Sequence, residues 1–137
     1  MPRFRADLGQ LGDIRDFVSE SAASLGASPD TLDELRIAVD EAVTNVVIHG
    51  YAGAGDVDID VSGRGHDLVI RLRDQAPPFD PVRSAPDSLA PVEERVKPGG
   101  FGLYLIRENV DEVSYQRVGS DNELTLIKRG VINGAGS

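Results

Sequence analysis

At 137 residues the chain can close one hydrophobic core but has too little length for two domains. A net charge of −9 with no basic cluster argues against direct binding to nucleic acid or anionic membrane, while leaving a basic protein partner compatible. The absence of cysteine excludes disulfides, thiolate catalysis and cysteine metal sites.

The opening Met1-Pro2-Arg3-Phe4-Arg5 leads into no apolar signal segment, and no run approaches membrane-spanning length, so a cytoplasmic location is expected. Leu11, Ile14, Val18, Ala22 and Leu25 recur at helical spacing and predict a first helix over 11–25, stopped by Gly26. Ser28-Pro29-Asp30 is a start signal for the next helix. That helix runs through 32–49, with Leu35, Ala38, Val39, Ala42, Val43, Val46 and Val47 as its core stripe.

Asp33, Arg36, Asp40 and Thr44 group on the solvent side of this second helix, but Glu41 and Asn45 do not join them. They project between the core stripe and a second apolar flank formed by Ile37 and Ile48. A carboxylate and an amide placed there lose hydration and need partners. The plain reading is a hydrogen bond to each other or to a nearby loop. A metal ion, a phosphate ligand or a proton-transfer role would also supply partners.

Residues 56–61 alternate strictly, with Val57, Ile59 and Val61 on one face and three aspartates on the other, which predicts a half-exposed strand. A turn at 63–65 leads to a second strand over 68–74. Leu68, Ile70 and Leu72 share its inner face, and Asp74 falls on that face where the strand runs out. Periodicity is lost over 75–98, which hold six of the eight prolines; a loop of this length reads as a functional lid. Gly99, Gly100 and Gly102 then open a helix with Leu103, Ile106 and Val110 on one side. Glycines at a helix N-terminus let backbone N–H groups approach an anion. Strands over 112–118 and 123–128 close a domain spanning 1–130, and 131–137 form a flexible tail.

Three segments, taken in order, resemble the motifs of one superfamily. D-E-A-V-T-N-V-V-I-H-G-Y (40–51) is similar to the N-box of the gyrase, histidine-kinase and chaperone type of ATPase. R-D-Q-A-P-P-F-D-P (73–81) resembles its first glycine box, and G-G-F-G-L-Y-L-I (99–106) its second. The nearest branch is the anti-sigma factor serine kinases of bacterial partner-switching systems. Ala76 and Pro78 stand where many superfamily members carry glycines, a form that looks typical of this branch.

The resemblance implies an α+β fold: a two-layer α/β sandwich with a mixed, mostly antiparallel sheet and helices on one face. It implies ATP and Mg²⁺ as cofactors, with Glu41 as general base toward a substrate serine and Asn45 as the Mg²⁺ ligand. Asp74 would accept the adenine amino group, and Gly99, Gly100 and Gly102 would cradle phosphate. Its partners would be a sigma factor and an anti-sigma factor antagonist. Arg15 on the first helix would contact both, or else be an ordinary solvated arginine beside Asp16. A homodimer is compatible with this picture. The implied activity is ATP-dependent phosphorylation of the antagonist combined with sequestration of the sigma factor. The alternative is a nucleotide-dependent regulator that holds partners without phosphorylating them.

Overall fold

The computed structural model describes residues 2–47, 55–78 and 100–132, with side chains described from 105 onward in the last segment. In chain order these form β1 (Arg3–Arg5), a 3-10 turn (Leu8–Gln10), α1 (Leu11–Ser24) and α2 (Pro29–Asn45). They continue with β2 (Asp56–Arg64), β3 (Asp67–Asp74), α3 (Gly100–Asn109), β4 (Glu112–Val118) and β5 (Asp121–Lys128). The expected α+β sandwich is present. The sheet has the order β1-β2-β3-β5-β4, and every pairing among the described strands is antiparallel.

One face of the sheet carries the core. Val57 and Ile59 of β2, Leu68, Ile70 and Leu72 of β3, and Leu124 and Leu126 of β5 are buried there. They meet Ile14, Val18 and Ala22 of α1, Leu35, Ala38, Val39, Ala42 and Val43 of α2, and Ile106 of α3. Strict period two in the strands and period 3.6 in the helices put all these apolar groups on facing surfaces. The opposite face buries Val69 but also carries charge: Arg73 of β3 pairs there with Glu123 of β5, and Arg71 approaches Asp60 of β2.

α2 starts where the sequence predicts. Ser28 is its N-cap, its hydroxyl accepting from Thr31 N at 3.3 Å, and Pro29 fills the first helical position, where no N–H is needed. The regular helix stops at Asn45 and passes into a π-type turn at Val46 and Val47; Ile48 and His49 lie outside the described residues. Ile37 departs from expectation. Instead of joining an apolar flank it is 43% exposed, because the described core takes only the Leu35–Val39–Val43 side of α2.

β1 was not foreseen from sequence, since three residues with alternating charge give no periodic signal. It survives as an edge strand through its ladder to β2, backed by Arg3 Nε donating to Asp58 Oδ1 at 2.8 Å. Beyond Gly130, Val131 N and Ile132 N donate to His66 O, and Ile132 is buried against Gly63. Packed chain therefore continues past the expected boundary at 130; residues 133–137 lie outside the described set.

Lys128 sets the direction of both inner helices. Its Nζ bonds Glu34, early in α2, and donates at 2.8 Å to the carbonyl of Asn109, the last residue of α3. Both helices are thus tied to the C-terminal end of β5: α2 runs from there toward the sheet's other end, and α3 runs back from that other end. That other end carries Asp74, the last residue of β3, in register with Asn122 of β5. The end of α2, the end of β3 and the start of α3 therefore share one side of the domain.

Candidate functional site

Three chemically distinct groups come from that shared end. Asp74 is buried, and its Oδ1 accepts two hydrogen bonds, from Ala76 N at 3.0 Å and from Asn122 Nδ2 at 2.9 Å. The strand's alternation forces the carboxylate inward, and these two donors offset its lost hydration. Among the described residues Oδ2 receives no hydrogen bond, so one acceptor remains for a ligand donor.

Asn45 is buried near the end of α2, and its Nδ2 has no hydrogen-bond partner among the described residues. An unmade hydrogen bond on a buried amide costs about 1–3 kcal/mol, a penalty that a bound acceptor would remove. Nδ2 therefore does not donate to Glu41, and the loop that follows α2, the other partner in the plain reading, lies outside the described residues. Phosphate oxygens suit the amide N–H, and the amide carbonyl oxygen suits a hard cation. No group of three histidine, aspartate or glutamate side chains placed to hold a metal exists among the described residues. Mg²⁺ needs few protein oxygens when phosphate and water complete its shell, so one amide fits it.

Glu41 lies one turn before Asn45, half-buried, with no hydrogen-bond partner among the described residues. Burial pushes its carboxyl above the ordinary value, and the neighbouring charge of Asp40 adds to that. A carboxylate short of hydration and of donors is a stronger proton acceptor than a solvated one.

The glycine turn is described in part. Gly100 and Gly102 lie in the first turn of α3, and Gly99 lies outside the described residues. Of the expected lid over 75–98, only residues 75–78 are described. Arg73, although part of the same motif, points to the opposite sheet face and pairs with Glu123. Arg15 is not a free surface residue. Its Nε donates to both carboxylate oxygens of Asp40 across the α1–α2 groove, at 2.8 and 2.9 Å, and not to Asp16.

Sequence reasoning missed Asn122, Tyr115 and Arg117, which surround Asp74 from β5 and β4. The signal was available, since Asn122 is a polar residue two positions before the core-facing Leu124. Starting the last strand at Glu123 hid it.

A family model for the histidine kinase-like ATPase domain matches residues 4–128. The chain belongs to the histidine kinase-like ATPase family. A serine-protein kinase RsbW from Bacillus licheniformis is 33% identical over 130 residues, covering 90% of this chain and 79% of that protein. An anti-sigma F factor from Anoxybacillus flavithermus is 32% identical over 114 residues, covering 81% and 78%. These relatives place this ATPase domain in the RsbW and anti-sigma F factor branch. Among solved structures, the RsbU and RsbW domains of a Mycobacterium tuberculosis protein superpose with a TM-score of 0.58 at 20% identity, covering 94% of this chain and 32% of that one. A blue-light-activated histidine kinase from Erythrobacter litoralis gives 0.52 at 18% identity, covering 89% and 60%. At these identities the structures speak for the fold alone.

Proposed function

We propose that this ATPase domain is a protein serine kinase that transfers the γ-phosphoryl group of ATP to a serine of an anti-sigma factor antagonist and, in its other state, holds a sigma factor. The observation that carries this reading is the Glu41–Asn45 pair. A pure binding module has no need of a half-buried carboxylate with a raised pKa one turn from a buried amide, neither Glu41 nor Asn45 Nδ2 having a hydrogen-bond partner among the described residues. Phosphoryl transfer needs both: a proton acceptor beside the attacking hydroxyl, and a group that positions phosphate.

Asn45 would hold Mg²⁺ and phosphate oxygens, Asp74 would accept the adenine amino group at Oδ2, and the Gly100–Gly102 turn would offer backbone N–H groups to phosphate. When bound, Mg²⁺ supplies neutralisation of the phosphate charge. Glu41 takes the serine proton as the oxygen attacks, which requires its carboxylate form. Among the described residues no helix is long and apolar enough to cross a membrane. That fits work in the cytoplasm, where sigma factors act.

The test is incubation of the protein with labelled ATP, Mg²⁺ and a candidate antagonist bearing an acceptor serine. Label on that serine is expected, and Glu41→Gln should slow transfer by roughly 10²–10⁴-fold while keeping ATP affinity. ATP binding without transfer to any antagonist would favour the regulator that binds and does not phosphorylate.

A further inference from the structure

Asn122 is the hub of a buried polar network that the reaction scheme leaves unused. Its Nδ2 faces three acceptors: Asp74 Oδ1 at 2.9 Å, Pro77 O at 3.1 Å and Ala76 O at 3.2 Å. Its Oδ1 accepts from Tyr115 Oη at 2.5 Å and from Arg117 Nη1 at 3.0 Å. Arg117 Nη1 also donates to Ala76 O at 3.0 Å.

The surroundings leave the amide one orientation. Reversed, its oxygen would face a carboxylate and two carbonyls, and its NH₂ would face the donating guanidinium of Arg117. Tyr115 and Arg117 thus aim the NH₂ at Asp74. Asn122 in turn takes Oδ1 of Asp74 together with Ala76 N, so that Oδ2 is the oxygen left for a ligand. The same NH₂ holds the carbonyls of Ala76 and Pro77, the first residues after β3. One side chain therefore fixes both the direction of the acceptor and the backbone that leaves it.

Resting on the reading of Asp74 as the contact to the base, we infer that Asn122, seated by Tyr115 and Arg117, is the positioning residue that sets base discrimination. A single carboxylate oxygen held in one direction accepts an exocyclic amine and repels a carbonyl oxygen. The site therefore favours a 6-amino purine over a 6-oxo purine only while that oxygen is held. Asn122 acts through Asp74 and touches no ligand itself.

The test measures ATP and GTP affinities by calorimetry on the wild-type chain, Asn122→Asp and Tyr115→Phe. Asn122→Asp keeps the shape but replaces the donor with a second carboxylate against Asp74. It should cut the ATP-over-GTP preference by about tenfold or more, the scale of one well-placed hydrogen bond. Tyr115→Phe keeps the ring and removes one donor to Asn122, and should cut the preference by about threefold. It also serves as the readout if Asn122→Asp does not fold. A purely structural role would weaken both nucleotides in parallel, so an unchanged preference in the folded variants would overturn the inference and leave the kinase reading standing. A wild-type chain that binds neither nucleotide would overturn both.

Discussion

Arg15 on α1 and Asp40 on α2 form a two-point contact in which one nitrogen, Nε, reaches both carboxylate oxygens at 2.8 and 2.9 Å. Asp40 is the residue before Glu41, and its charge is the second cause, after burial, of the raised pKa of that carboxyl. The pair therefore places a neutralising cation next to an anion that acts on the proposed base. Glu41 must be ionised to accept a proton, so transfer should rise with pH through its raised pKa. Arg15→Gln uncovers Asp40 and should move that limb to higher pH. Asp40→Asn removes the anion and frees the cation, and should move it lower. Single-turnover rates against pH check this; superimposable limbs in all three proteins would refute the coupling.

Only Nε of Arg15 is spent on Asp40. Among the described residues its two terminal nitrogens make no hydrogen bond, and the side chain is 42% exposed. A partner carboxylate can therefore engage the fork without breaking the pair. Arg15→Ala should weaken both the sigma-factor and the antagonist complexes while leaving ATP affinity unchanged. Pull-downs in which the variant holds both partners like wild type would exclude a shared contact.

Most of the fold was legible because its elements are strongly periodic: the stripes through Ile14, Val18 and Ala22 and through Leu35, Val39 and Val43 admit only helices. β1 was illegible because three edge residues are held by a ladder to Asp56, Val57 and Asp58, which is information from distant sequence. At the site, Glu41, Asn45 and Asp74 could be read as polar residues at inward positions. What could not be read was pairing. Arg15 with Asp40 and Asn122 with Asp74 are 25 and 48 residues apart, and local spacing does not report such contacts.

Lys128 joins β5, α2 and α3 at the end of the domain away from the site, and its side chain is only 11% exposed. Lys128→Met keeps most of the stem but removes the donor from Glu34 and from the terminal carbonyl of α3. The expected loss is about 1–3 kcal/mol of stability. Urea unfolding measures it, and a loss below about 0.5 kcal/mol, the range of ordinary surface changes, would show the tie to be incidental.

Glu123 is buried on the open face of the sheet. Burial pushes its carboxyl up, but the hydrogen bonds from Arg73 and Gln116 outweigh that, and the net pKa is below the ordinary glutamate value. A carboxyl lowered on folding adds stability above its unfolded pKa, and this is lost as pH falls toward the folded value. Arg73→Met should therefore destabilise the protein at neutral pH, where Glu123 stays ionised. The deficit should shrink as pH falls from the ordinary glutamate range toward the lowered folded value, where Glu123 protonates. Denaturation curves in an acid series from pH 7 downward decide it: a deficit that stays constant through acid unfolding would mean that Arg73 acts by packing alone.

Asn45 is where stability and function should separate. Its buried Nδ2 lacks a partner among the described residues, so in the nucleotide-free protein the side chain carries a desolvation cost of about 1–3 kcal/mol. Asn45→Ala removes that cost and leaves a gap of only a few atoms at the last turn of α2. The apo variant should melt no lower than wild type, the behaviour of a residue kept for binding at the expense of stability. Mg-ATP at 100 times its Kd should stabilise wild type by about 2.7 kcal/mol, because ligand binds the folded state alone. The variant should show no such gain. A folded Asn45→Ala protein with undiminished Mg-ATP stabilisation would remove Asn45 from the site, and a variant that unfolds without nucleotide would make it a structural amide.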